Sequence, residues 1–481
     1  MTEMATLTAR TLSGTETRID HRAIDELAQT LSRRPILPDD PDYDEARRVF
    51  NRMIDKRPAV IVRCGGVADV LAAVRFARAH ELVAAVRGGA HNAAGFATCD
   101  GGIVIDLSPM RGVRVEVDEQ LVRVEGGATW GDVDRETQAF GLIAVGGIVS
   151  TTGVAGLTLG GGQGWFRRTF GMSCDNLVSA DVVTADGRLL CVSETAHPDL
   201  LWALKGGGGN FGIVTSFEFR LHRVGPMVAF AGPVYPMDKA RTVLGRFRDF
   251  GSSAPNEVNL VAVLWTIPAG PAFPQHLHGR DVVIIGGTYA GAPEDGEKIL
   301  QPLRELDEPI LDMSATIPYC ALQQLFDPFF RKGELLHYWK ALYLDRLTGD
   351  AIDAIVKGCA GRPSQRSMLA IQTLGGAMGR VAKDATPVGS REAPFLLEII
   401  GSWTEAAHTE LNVVWVRHVF ENMHWFSSGK TNLNFSGAGE DNERFVRAAY
   451  GDHYQRLASV KQTYDPTNMF RLNQNITLAA T

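Results

Sequence analysis

The sequence predicts an α+β chain made of more than one unit, and three features predict it. In the first 225 residues, short apolar strands alternate with segments of helical period before a two-residue alternation takes over. After Gly225-Pro226 the glycine clusters thin out and aromatics become frequent, through Trp265, Tyr319, Tyr338, Trp339, Tyr343 and Trp403. That texture reads as a second unit of mixed sheet and helices. At 481 residues the chain is also too long for one ordinary core.

In order, residues 1–55 read as a polar tail followed by a charged helical segment from Tyr43 to Phe50. Pro58 to Val62 is a short buried strand. Val67, Val70, Leu71, Val74 and Ala77 recur at helical spacing, and Val83 to Val86 completes a strand–helix–strand unit. Ile103 to Leu107 is a further strand. Val113, Val115 and Val117 alternate with Arg114, Glu116 and Asp118, and Val122 and Val124 with Arg123 and Glu125. This is a hairpin with one buried face. Thr129-Trp130-Gly131-Asp132 has capping-box spacing and opens a helix toward Phe140. Val182 to Leu190 is a strand pair turning at Asp186-Gly187, and Phe217, Phe219 and Leu221 mark one more strand. In the tail, Phe445, Val446, Ala449, Tyr450, Tyr454, Leu457 and Val460 keep helical spacing.

Composition narrows the function. A hydrophobic share of 45% with 21% charged residues fits a globular protein. The net charge of -7, with no basic stripe, argues against a nucleic-acid binder. No run of about 18 apolar residues is present to span a membrane. Met1 to Asp20 is polar and threonine-rich without an apolar segment, so no signal peptide is expected and the compartment is expected to be the cytoplasm. The six cysteines are dispersed without a C-x-x-C pair, as buried thiols would be.

Chemistry concentrates in two glycine-rich stretches. The first, Val145 to Trp165, holds Gly160-Gly161-Gly162-Gln163-Gly164. The second is Val86-Arg87-Gly88-Gly89-Ala90-His91-Asn92-Ala93-Ala94-Gly95. Glycine brings main-chain N–H groups against a ligand with no side chain in the way, and successive exposed amides cradle a phosphate or pyrophosphate. Two such loops, one carrying Arg and His, point to one extended ligand held from both sides. Two decoys fail. Gly207 to Gly212 matches G-x-G-x-x-G, but a helical stretch precedes it and a strand follows, the reverse of the dinucleotide order. Ser428-Gly429-Lys430-Thr431 mimics the end of a Walker A loop, but His424 stands where the first glycine belongs. No zinc or esterase motif is present, so no metal is expected.

These residues together resemble the vanillyl-alcohol-oxidase/PCMH flavoprotein superfamily, in its berberine-bridge-enzyme-like branch. The resemblance rests on Pro58 to Val62, Val86 to Asn92, Gly153 to Trp165, Asp175-Asn176-Leu177, Asp199 to Gly212, Tyr464 to Phe470 and Asn473-Gln474-Asn475-Ile476. It implies a PCMH-type FAD-binding domain of two α+β subdomains, with an inserted substrate domain of antiparallel sheet flanked by helices. The implied boundaries are 1–225 for the FAD domain, 226–431 for the substrate domain and 432–481 for the segment that completes the FAD domain. FAD contacts are expected at Arg87, Gly88, Gly89, Ala90, His91, Asn92, Gly95, Gly147, Val149, Thr151, Thr152, Gly153, Gly156, Gly160, Gly161, Gly162, Gly164, Trp165, Asn176, Ile213, Val214, Asn473 and Asn475.

The resemblance further implies a covalent bond from His91 to the flavin 8α carbon. Many relatives add a second bond from a cysteine in G-x-C-x-T-x-G. Here Gly147 to Gly153 carries Val149 at that place, so a single attachment is expected. The family's Tyr-x-Asn-Tyr base motif corresponds to Asn432-Leu433-Asn434-Phe435. Asparagine cannot act as a base at ordinary pH, so either another group serves at the site beside Asn432, with Tyr338, Tyr343, His337 or Tyr319 as candidates, or the base motif corresponds to a different stretch. The implied activity is an FAD-dependent oxidase. Hydride passes from an alcohol-type substrate (a sugar, aromatic alcohol or secondary metabolite) to flavin N5 and then to O₂, giving H₂O₂. In relatives the residue at the Thr152 position lines the oxygen approach, and threonine is compatible with oxidase behaviour. A dehydrogenase with another acceptor and a flavin-binding protein without catalysis are the alternatives. The expected partners are a small-molecule substrate and O₂, with the oligomeric state left open.

Overall fold

The computed structural model describes residues 6–427, 429–437, 439 and 442–478. Met1 to Ala5, at the head of the expected tail, lie outside the described residues. The first layer is the strand–helix–strand unit read from periodicity. Val60–Arg63, Ile103–Asp106 and Ala84–Arg87 form a three-stranded parallel sheet, with Ile103–Asp106 central, and helix Val67–Ala79 packs on it. Its strands are apolar up to their last residues, Arg63, Asp106 and Arg87, as a sheet covered on both faces requires.

The second layer is antiparallel and five-stranded. Leu189–Val192, Leu177–Val183, Ile213–Arg220, Leu121–Glu125 and Val113–Glu116 lie side by side in that order. Val122 and Val124 face its core while Arg123 points out, the alternation seen in the sequence. Helix Trp130–Gln138 opens with the expected capping box between Thr129 and Asp132 and stops two residues short of Phe140. The tail folds back onto this layer. Val446, Tyr450, Leu457 and Val460, from helices Asn442–Tyr450 and Tyr454–Tyr464, share a core with Val122, Phe217 and Trp202. Lys461, fully buried, fixes the return: its Nζ donates to the carbonyls of Asn210 and Phe470 and pairs with Asp465 at 3.2 Å.

The third sheet has nine strands, all between Met227 and Trp403. Val258–Thr266, Met368–Thr373, Phe395–Trp403 and Leu336–Leu344 follow one another as antiparallel neighbours, with Leu336–Leu344 at the sheet edge. Helices Ala240–Ser253, Gly349–Ala360 and Thr409–Met423 cover one face, burying Leu260, Leu369, Ile371, Leu397, Ile399 and Tyr338. The alternate residues, Val261, Val263, Trp339, Met368, Ala370 and Ile400, face the other way, toward the glycine loops. The chain is thus α+β, with a PCMH-type FAD-binding region and an inserted sheet-plus-helix unit.

The N-terminal reading is corrected. Thr6–Arg10 pairs with Glu16–Asp20 in a hairpin, and helix His21–Thr30 follows, capped by Asp20. Threonine suits strand backbone as well as a polar tail, which hid the hairpin. The helix expected from Tyr43 to Phe50 is one turn, Tyr43–Ala46. Beyond it the chain runs irregularly so that Val49 and Phe50 can bury their side chains. Among the described residues no helix is long and apolar enough to cross a membrane.

Candidate active site

The two glycine segments meet backbone to backbone. A Cβ on Gly89 would lie 2.5 Å from the Gly153 nitrogen, and one on Gly153 would lie 2.5 Å from the Gly89 nitrogen. A side chain at either place would force two main chains apart, which is why neither position has one. Gly153 also starts helix Val154–Leu159.

These loops and the face of the large sheet turned away from its helices enclose a cavity of about 310 Å³. Of the residues expected to hold a cofactor, Gly88, Gly89, Ala90, His91, Asn92, Gly147, Val149, Thr152, Gly153, Gly156, Gly160, Ile213, Val214 and Asn473 line it. The remaining nine do not, and each has a local reason. Arg87 turns away: its Nε donates to the Ala97 carbonyl, Nη1 donates to the Ala46 carbonyl, and Asp106 lies 3.7 Å off. It lines a separate polar hollow behind the loop. Thr151 is exposed, and Gly95 abuts Ile54. The Gly161 and Gly162 carbonyls accept from Cys174 and Ser173 in the turn after the helix. Gly164 sits against the Gly146 carbonyl, and Trp165 stacks on Phe326. Asn176 donates to the Phe170 and Met172 carbonyls, and Asn475 lies off the wall.

His91 lies on the wall, and burial pushes its pKa down to about 4, so the ring is a neutral imidazole at neutral pH. Its Nε2 and the Asn92 Oδ1 are buried with no protein partner. Buried polar atoms are normally satisfied, so orphans here fit a bound polar group, and the Gly89–Gly153 contact fits a flat or extended one. The residues present therefore suit an FAD.

The candidate bases fare differently. Asn432 lines the cavity. Tyr338 faces the helix-covered side of its strand, and its hydroxyl accepts from Arg417 Nε at 3.0 Å. Tyr343 is one layer back, accepting from Gln163 Nε2 at 3.2 Å, and burial raises its pKa strongly. Tyr319 is buried against Asp134, remote from the wall. His337 bonds Ser402 Oγ at 2.9 Å, and burial next to His91 pushes its pKa down to about 3.

Two residues the sequence reading missed stand on the wall instead. Glu398 lies mid-strand in Phe395–Trp403, 3% exposed, and accepts from Gln372 Nε2 at 2.5 Å. Burial pushes its carboxyl up to about 8, against smaller opposing effects from the Arg167 cation and the Gln372 hydrogen bond. Arg167 is itself fully buried, donating to the Thr373, Gly164 and Leu260 carbonyls. A lone glutamate in an apolar nine-residue strand was the available signal, since acids are almost never buried unpaired. Among the described residues no lysine or arginine lines this cavity, and Glu398 is its one acid. A carboxyl so placed is half-ionised near pH 8 and can take a proton from a bound hydroxyl or amine.

Comparison with known proteins agrees with this geometry. Residues 58–193 match the model for an FAD binding domain, and residues 431–477 match the berberine and berberine-like model. An uncharacterized FAD-linked oxidoreductase of Bacillus subtilis (YgaK) is 32% identical over 459 residues, covering 93% of this chain and 97% of its own. The (R)-6-hydroxynicotine oxidase of Paenarthrobacter nicotinovorans is 29% identical over 92% of this chain and 96% of its own. The crystal structure of 6-hydroxy-D-nicotine oxidase from Arthrobacter nicotinovorans superposes with a TM-score of 0.83 at 27% identity, covering 93% of this chain and 98% of that one. The chain belongs to the berberine-bridge-enzyme-like branch of the vanillyl-alcohol-oxidase/PCMH flavoprotein superfamily. It is an FAD-dependent oxidoreductase.

Proposed function

We propose that this enzyme is an oxidase that holds FAD covalently through His91 alone and acts on a compact, largely apolar substrate. The reacting carbon of that substrate bears a hydroxyl or an amine. The observation that carries the reading is the shared cavity, with the His91 loop on one side and the Glu398–Gln372 pair on the other. FAD held there would supply a two-electron acceptor for the substrate hydride and a route for the electron pair to O₂, giving H₂O₂. Residues 1–225 and 432–481 form the FAD unit and 226–431 the substrate unit, in line with the span of the large sheet.

The protein's own part is to orient and to move a proton. Main-chain amides around Gly88–Gly89 and Gly153 would hold the cofactor's phosphates. Val261, Val263, Met368, Ala370, Ile400 and Trp339 exclude water around the substrate. Glu398 takes the substrate proton, the role Asn432 cannot fill, and Gln372 fixes the carboxyl in place. The apolar wall favours an aromatic or alicyclic alcohol or amine over a sugar, in keeping with a relative from Paenarthrobacter nicotinovorans named an (R)-6-hydroxynicotine oxidase. Val149 on the wall leaves no sulfur for a second bond. All six cysteines are unpaired, which suits a cytoplasmic setting.

The test is anaerobic mixing of purified holoenzyme with apolar alcohols, cyclic amines and oligosaccharides, followed by exposure to air. Bleaching of the flavin by an apolar alcohol or amine, with H₂O₂ formed on reoxidation, is expected. Bleaching by oligosaccharides alone overturns the substrate reading, and bleaching without peroxide leaves a dehydrogenase.

A further inference from the structure

The segment from Val49 to Met53 lies outside both glycine loops, yet it touches the His91 loop at three points. Phe50, 1% exposed, stacks on His91 with ring centroids 4.1 Å apart and planes 17° apart. Its other face stacks on His337 at 4.5 Å and 13°. Its main-chain N–H donates to the Ala90 carbonyl at 3.1 Å. Ala90 has φ +56, a left-handed conformation costly for a residue with a Cβ, so something must hold it there.

Asn51, also 1% exposed, spends its side chain on the same junction. Nδ2 donates to the Ala93 carbonyl at 2.7 Å and to the His337 carbonyl at 2.8 Å, and Oδ1 accepts from the His337 N–H at 2.9 Å. The residues on either side of His91 are thus pinned, one face of its ring is stacked on Phe50, and the brace is anchored on strand Leu336–Leu344. On the sheet side Phe50 also meets Trp339 edge-on, with centroids 5.5 Å apart.

We propose that Phe50 and Asn51 are positioning residues for flavin attachment. They hold the His91 ring in one plane, so that a nitrogen lone pair meets the flavin 8α carbon. This rests on the reading that His91 carries the covalent bond. In that reaction a new C–N bond forms while the 8α carbon and the imidazole each lose one hydrogen. The two protons and two electrons reduce one O₂ to H₂O₂. An unbraced imidazole would rotate about its side-chain bonds and lose effective concentration at the carbon, the usual cost of lost orientation. Noncovalent FAD binding, which depends on main-chain amides, would persist.

The experiment compares wild type, Phe50→Leu and Asn51→Ala, each purified with FAD. Three quantities are read: bound flavin by native absorbance, covalent flavin by in-gel fluorescence after acid denaturation, and Tm. Phe50→Leu keeps most of the volume and removes the stack. Asn51→Ala removes the pins and leaves the ring. The expected result is wild-type flavin retained in the acid pellet, with both variants folded and yellow but with the covalent share of their bound flavin at least tenfold lower. A covalent share equal to wild type in both variants overturns the positioning role while leaving His91 as the link. Release of wild-type flavin into the acid supernatant overturns the link itself and the positioning role with it. If one variant fails to fold, the other decides.

Discussion

Glu398→Gln is the sharpest test of the proposed chemistry, because the structure sets both its kinetic and its thermodynamic outcome. With a carboxyl near pH 8, only about a tenth of Glu398 is ionised at pH 7. Substrate-driven flavin reduction should then rise roughly tenfold between pH 7 and 9 in the wild type. Glutamine keeps the shape and cannot accept the proton, so reduction should slow by about 10²- to 10⁴-fold and become flat with pH. Stability follows the opposite course. The folded state keeps this proton while the unfolded chain releases it above the ordinary carboxyl value of 4.5. Raising the pH from there to 8 therefore costs the wild type up to about 1.4 kcal/mol per unit. The variant should lack that slope and overtake the wild type in stability at pH 9. Stopped-flow absorbance under nitrogen and denaturant titration at pH 6, 7.5 and 9 measure the two. A variant that reduces its flavin within threefold of wild type, with an equally steep pH profile, would remove Glu398 from the chemistry.

Further substitutions separate the parts of the site. His91→Ala should keep FAD bound in the native protein but release it into the acid supernatant, read by pellet fluorescence and intact mass. Gly153→Ala drives a Cβ into the Gly89 main chain, so FAD content per folded protein should fall severalfold, seen as a lost ratio of visible to ultraviolet absorbance. Arg167→Gln removes the cation that holds down the Glu398 pKa, and the midpoint of the pH–rate profile should move to higher pH. The three carbonyls that Arg167 serves lose donors as well, which should cost roughly 1–3 kcal/mol in denaturant unfolding.

The FAD half of the molecule was legible in the sequence because its determinants are local. Glycine clusters, a capping box and a two-residue alternation each act within a few residues, and the structure places fourteen of the expected cofactor contacts on one cavity. Seven of the nine others lie in the glycine loops but pack or hydrogen-bond away from the cavity, and Asn176 and Asn475 lie elsewhere in the chain, a matter of local backbone direction that composition does not encode. The substrate half was less legible. Tyr338 and Glu398 both sit in strands buried on both faces, where no alternation marks the side that meets the cavity. Tertiary pairing decides it: Glu398 is opposite Ala370 in register, and Ala370 faces the same space. The N-terminal hairpin was missed for a simpler reason, since five-residue strands of threonine, arginine and glutamate read as polar tail.

This division of labour within the cavity has its own consequence. The cofactor side is made mainly of backbone, where substitution disturbs the main chain itself. The substrate side is one face of a sheet whose other face carries the packing against helices. Residues on the cavity face should therefore be able to change with little effect on folding or FAD, and Ala370 tests this most directly. It is central, 4% exposed, flanked by Val263 on one strand and Glu398 on the next. Ala370→Leu adds its bulk into the cavity rather than into the core, displacing substrate beside the proton acceptor. Substrate-driven reduction should weaken at least tenfold, chiefly through KM, while covalent flavin content and Tm stay near wild type. Ile371→Ala, one residue along and facing the helices, should do the reverse: about 2–5 kcal/mol of lost stability with kinetics of the folded fraction unchanged. Should Ala370→Leu lose its flavin or its fold while its kinetics per flavin remain intact, the face assigned to substrate would instead be part of the cofactor site or the core.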